Sequence, residues 1–112
     1  MTIVFISVAS KGAVTDGKLN EAFLKNMAAY HLMFPDIVFM SPMINGYAVL
    51  PYMPHVEATY DIWGRYCEKM LAACDEVWVI QLPGWETSAG VKGEIEHAQA
   101  LGKSVKYFLP TA

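Results

Sequence analysis

Cysteine is scarce in this chain, charge is thin, and no apolar run is long. The only two cysteines, Cys67 and Cys74, stand seven apart in what reads as one helix. At 1.5 Å of rise per residue that separation is about 10 Å along the axis, too far for a disulfide within the chain. Reduced thiols and a cytoplasmic setting are therefore expected. The three histidines, His31, His55 and His97, are scattered without HxxxH or CxxC spacing, so no metal site is expected. No stretch is long enough to span a bilayer, and the opening MTIVFISVAS lacks the basic region of a signal peptide, so it reads as a first strand. Charged residues make up 17% of the 112, with a net charge of −3, which leaves no coat of Lys and Arg for a nucleic-acid polymer. GWETSAG lacks the GK[ST] ending of a phosphate-binding loop, and Gly84, Gly90 and Gly93 form no dinucleotide fingerprint, so no bound cofactor is expected. Repeats, low-complexity tracts and linkers are missing as well, which leaves one domain over residues 1–112.

What the chain does have is apolar surface to hide. Hydrophobic residues are 54% of the total, more than a single core of this size absorbs, and a homodimer or higher homo-oligomer is expected to take the remainder.

Apolar and periodic segments alternate along the chain. Residues 3–8 form a continuous β-branched-rich run, as in a strand covered on both faces. Ser10, Lys11, Gly12 and Asp16-Gly17 read as a loop. Leu19, Ala22, Phe23, Met27, Tyr30 and Phe34 then share one face of a helix over residues 18–34, bracketed by Thr15 and Asp36 turn chemistry and ended by Pro35. Residues 37–40 read as a second buried strand closed by Ser41-Pro42. Residues 45–54, NGYAVLPYMP, carry no sustained period and read as an apolar loop, either a lid over a pocket or a surface for a partner. A helix over residues 59–74 places Trp63, Tyr66, Cys67, Met70, Leu71 and Cys74 on one face. A strand at 76–82, a helix from Ser88 and a strand at 105–109 complete the chain. Alternation of this kind predicts a doubly wound α/β fold, flavodoxin-like or Rossmann-like, with a parallel sheet of four to five strands and helices on both faces. Ligands of such sheets bind beyond the carboxyl ends of the strands, where strand order reverses.

Within residues 82–103 one residue is not explained by folding. Val91, Ile95, Ala98, Leu101 and Gly102 recur at helical steps as an apolar stripe, with Lys92, Glu96, Gln99 and Lys103 on the outer side. Glu94 falls inside the stripe. A carboxylate turned inward is costly unless it is paired or lines a polar cleft, and the second reading makes it a site residue. Ser88 and Gly90 open the same helix, where unpaired amides and the positive end of the dipole favour an anion; Ser88 is equally an ordinary N-cap. Lys11 and Gly12, with Ser10, are further candidates at the same edge for touching base or phosphate, or else form a solvated loop; Trp85 is a candidate for stacking on a base or packing a dimer, and Asn45 and Tyr47 for capping the pocket. Asp75 is accounted for by turn chemistry.

Taken in order, Cys74-Asp75-Glu76, Pro83-Gly84-Trp85-Glu86, Ser88, Gly90-Val91, Glu94-Ile95, Ala98 and Leu101-Gly102-Lys103 resemble the nucleoside 2-deoxyribosyltransferase-like superfamily, and most nearly its small DUF1937 branch. The resemblance implies a small-molecule nucleoside or nucleotide as substrate, with Glu94 attacking the anomeric carbon, expelling the base and forming a glycosyl ester. It also implies a homodimer. Two positions depart from the pattern. Ser88 stands where the deoxyribosyltransferases carry an aspartate for the 5′-hydroxyl, and resembles the serine with which 5′-monophosphate N-glycosidases bind phosphate. Cys67 stands where relatives carry an aspartate near the base or sugar, and a neutral thiol does not replace a carboxylate in proton transfer. A nucleotide-binding module that has lost catalysis is the reading that this second departure motivates, and a structural subunit whose apolar loop mediates assembly is a third.

Overall fold

The computed structural model describes residues 2–49, 52 and 63–111. Four parallel strands make the main sheet: β1 (Thr2–Ser7), β4 (Ile37–Met40), β5 (Glu76–Ile80) and β6 (Ser104–Phe108), in the order β4-β1-β5-β6. Registers run Val4 beside Phe39, Val4 beside Glu76 and Val77 beside Val105. The chain steps from β1 outward to β4, then returns to the other side of β1 for β5, so strand order reverses at the carboxyl end of β1. This is the predicted doubly wound, Rossmann-like α/β architecture.

Side chains alternate across β1 because a strand repeats every two residues. Val4 and Ile6 face α2 (Glu21–Met33), packing with Phe23, Met27 and Tyr30, and with Phe39, Trp78 and Ile80 from neighbouring strands. Trp78 and Phe108 meet there with ring centroids 4.3 Å apart. Phe5 faces the opposite layer, where Leu71 of α4 (Arg65–Ala73), Cys74 just after that helix and Ala98 of α5 (Ala89–Ala100) cover it. Ser7 is on this second side too, fully buried, at the last turnstile of β1 before the reversal point.

Several connections differ from the expectation. The loop at Ser10 is a helical turn, α1 (Ser10–Ala13), followed by a two-stranded ribbon of β2 (Val14–Thr15) and β3 (Lys18–Leu19). The ribbon consumes Lys18 and Leu19, so α2 starts three residues later than predicted, capped by Asn20, whose side chain accepts from the Phe23 N–H at 2.8 Å. The Asn20 amide also donates to the Gly12 carbonyl at 2.8 Å and so ties the turn after β1 to α2. Residues 45–49, read as loop, belong to α3 (Pro42–Val49). Its start follows from Ser41-Pro42: proline suits the first helical position, and Ser41 accepts from the Ile44 N–H at 3.4 Å. Residues 50–51 and 53–54 of that segment, and 59–62 of the predicted helix 59–74, lie outside the described residues; α4 is entered through a wide turn at Trp63 and Gly64. At its far end α5 stops at Ala100, leaving Leu101 46% exposed and Gly102 in the left-handed region at φ 71°, so the apolar stripe ends at Ala98. Lys103, expected on the outer side, donates instead to the carbonyls of Ala72 and Cys74 at the end of α4.

Candidate active site

The site grows from the start of α5. After β5, Gly84 turns the chain at φ 89°, Trp85–Thr87 makes a single 3-10 turn, and Ser88 caps α5 by accepting from the Val91 N–H at 3.2 Å. That bond uses a lone pair of the Ser88 hydroxyl and leaves its proton for another acceptor. The first amides of α5, at Ala89 and Gly90, have no intrahelical acceptor by position. One and a half turns on, Val91 and Ala98 are anchored in the core, and their fixed rotation carries Glu94 inward.

Glu94 reaches the carboxyl end of β1. Ser7 Oγ donates to Glu94 Oε1 at 2.7 Å, which fixes the carboxyl and leaves its second oxygen unclaimed by that bond. Burial pushes the Glu94 pKa up from 4.5 to about 7, against the Ser7 hydrogen bond, which pulls it down. The group is thus divided between acid and carboxylate at neutral pH. Cys67, on α4, is pushed up to about 11 by burial first, then by the nearby carboxyls of Glu94 and Glu68, so its sulfur stays protonated and is a poor nucleophile.

Two hollows adjoin this carboxyl. The first, of about 280 Å³, is bounded by the end of β1 and the starts of α3, α4 and α5, with Val8, Met43, Trp63 and Cys67 among its walls. The second, of about 390 Å³, runs between α4 and α5 past Glu68, Leu71 and His97. Trp63, Cys67, Gly90 and Glu94 belong to both. No lysine or arginine among the described residues lines either one. Nor do the described residues hold a group of three His, Cys, Asp or Glu able to bind a metal ion.

Of the residues singled out in the sequence, Ser10, Cys67, Ser88, Gly90 and Glu94 meet at the first hollow. Lys11, Gly12 and Trp85 do not line it. A Cβ on Gly12 would stand 2.7 Å from both Leu82 Cβ and the Pro83 carbonyl oxygen, so Gly12 lets the turn after β1 press against the segment after β5. The Lys11 stem lies over Gly84, and Trp85 packs against Tyr107 with centroids 5.9 Å apart. Asn45 is exposed, away from both hollows, and the side chain of Tyr47 lies outside the described residues. Asp75 has the structural place expected of it, with its carboxylate accepting from the Ile3 N–H at 2.7 Å. Ser7, Met43 and Gly46 escaped the sequence reading, and Trp63 entered it only as part of a helix face. Ser7 had one signal, being the single polar residue in the otherwise apolar run 3–8.

The sequence matches the family described as Domain of unknown function (DUF1937) over residues 5–109. The chain belongs to the DUF1937 family. Every described residue of the two hollows falls within that match, so the site belongs to the DUF1937 domain itself. No curated protein and no solved structure matches the chain. No helix among the described residues is long and apolar enough to cross a membrane.

Proposed function

We propose that this DUF1937 protein cleaves or transfers the N-glycosidic bond of a nucleoside or (deoxy)nucleoside 5′-monophosphate, with Glu94 as the nucleophile. The observation that carries the reading is the Glu94 carboxyl, held by Ser7 at 2.7 Å on a wall common to both hollows. The free carboxylate oxygen attacks the anomeric carbon while the bond to the base breaks and its electron pair leaves with the base. A glycosyl ester results, as in retaining glycosidases. Water opens that ester to give hydrolysis, and a second base opens it to give transfer. The 5′ end rests on the Ser10 and Ser88 hydroxyls and the first amides of α5. Without a lysine or arginine among the described walls, these neutral donors and the helix dipole are what a phosphate meets from this chain. The proposal includes a homodimer or higher homo-oligomer, which the apolar composition favours.

Incubation with a panel of nucleosides and their 5′-monophosphates, followed by chromatography for free base, is expected to show release. Glu94→Ala lowers it by roughly 10⁴-fold; release that survives this substitution removes Glu94 from the mechanism. A second reading is favoured by Cys67. A protonated thiol beside the nucleophile supplies no carboxylate to the departing base, and a nucleotide-binding module without turnover would raise Tm with ligand but release nothing.

A further inference from the structure

Trp63 is a wall of both hollows, at the entry to α4. Its indole nitrogen is buried and has no hydrogen-bond partner among the described residues. A buried N–H left without an acceptor is unfavourable and calls for an explanation. The other two tryptophans need none: Trp78 donates to Glu76, and Trp85 is partly buried against Tyr107.

The orientation of the ring narrows the choice. A Cβ on Gly46 would lie 3.3 Å from Trp63 Cζ3 and 3.7 Å from Cε3, so α3 abuts the six-membered edge of the indole. Nε1 lies across the ring system from that edge, and the donor is therefore turned away from α3. The two hollows that share Trp63 are largely apolar, with Ile6, Val8, Pro42 and Met43 in the first and Leu71 in the second, whereas the small hydroxyls gather at Ser10 and Ser88 of the first. A flat ring suits the apolar walls, and the 5′ end suits the hydroxyls.

We propose that Trp63 reads the leaving base, its indole N–H donating to a ring nitrogen or carbonyl oxygen of a heteroaromatic ligand. The assignment rests on the N-glycosidic reading above. It gives the site a specificity device, because a buried donor rejects a ligand of the same shape that lacks the matching acceptor. The same bond stabilises negative charge as it develops on the base, at a site where Cys67 is a neutral thiol.

The test uses the full chain carrying Glu94→Gln, which prevents turnover. Calorimetry compares each nucleotide with analogues in which one ring nitrogen or carbonyl is replaced by C–H. Loss of one acceptor is expected to weaken binding about tenfold, and adding Trp63→Phe is expected to erase that ratio. Equal binding of every pair, or a ratio unchanged in Trp63→Phe, overturns the assignment while leaving the N-glycosidic reading intact. Failure of any nucleoside or nucleotide to bind overturns that reading, and the role of Trp63 falls with it. Should Trp63→Phe not fold, the indole N–H resonance of Trp63 decides in the chain that retains it, assigned with Trp85→Phe and Trp78→Phe. A downfield move on ligand addition is expected, and an unmoved resonance at saturation refutes the bond.

Discussion

Glu94 gives up solvation for position, and the exchange has a sign that can be measured. Its folded pKa, about 7, lies above the ordinary 4.5, so the native state holds the proton more tightly than the unfolded chain. Its contribution to stability is complete below pH 4.5 and is lost as pH rises through 7. Glu94→Gln removes this slope while keeping an acceptor for Ser7. At pH 8 the variant is expected to be more stable by about 3 kcal/mol, from 1.36 kcal/mol per pKa unit, and the two melting curves converge below pH 4.5. Equal melting temperatures at pH 8 would mean that the carboxyl is well solvated. Activity runs the other way, since only the carboxylate attacks, and is expected to rise with pH through about 7. Ser7→Ala deletes the interaction that lowers this pKa, so the midpoint of the rate profile moves upward and the maximal rate falls. Ser7→Thr, which keeps a hydroxyl, restores the midpoint; if both substitutions act alike, Ser7 serves packing alone. The inward acid was legible because a helix repeats every 3.6 residues and Glu94 interrupts that repeat. Its partner was not. A serine closing an apolar strand has no period to break, and only folding brings residue 7 to residue 94.

Helix starts do two jobs here, and substitutions can separate them. Ser88→Ala removes the cap on α5 and is expected to cost about 1 kcal/mol in denaturant unfolding, whatever the ligand. Ser88→Asp keeps a capping oxygen and adds charge where a 5′-phosphate is proposed to rest. Stability near that of the parent, with preference shifted from monophosphate to nucleoside, is the expected result; an unchanged preference confines Ser88 to capping. Gly12 tests the contact between the turns after β1 and β5. Its missing Cβ would fall 2.7 Å from backbone and side-chain atoms that cannot both yield, so Gly12→Ala is expected to destabilise by about 1–3 kcal/mol. The same elements explain what sequence reading missed. Ser41-Pro42 reads along the chain as the end of a strand, yet it is also a cap followed by a first-turn proline, and Gly46 obscures the period of α3. Gly46 is there for Trp63, whose ring leaves little room for a side chain on α3. Neither partner identifies the other along the chain.

At the scale of the molecule, alternation of buried strands with periodic helices sufficed for the sheet, because parallel neighbours need crossovers and crossovers need helices. Strand order and the reversal beside β1 follow from packing that composition does not encode. Composition does bear on assembly. Leu32 and Met33 at the end of α2 are 83% and 61% exposed, beside the edge strand β4, and Leu109 after the opposite edge strand β6 is 77% exposed. Edge strands with uncovered apolar neighbours are unfavourable in a lone subunit, and pairing like with like across a two-fold axis closes such a surface without growing a filament. The protein is therefore expected to sediment at an even multiple of its 12.4 kDa mass and to melt at a temperature that rises with concentration. Leu32→Lys and Leu109→Lys, made separately, are expected to differ, with the substitution on the paired edge shifting the particle toward 12.4 kDa. A parent chain that sediments at 12.4 kDa, with a concentration-independent Tm, leaves these residues as ordinary surface and the site complete within one subunit.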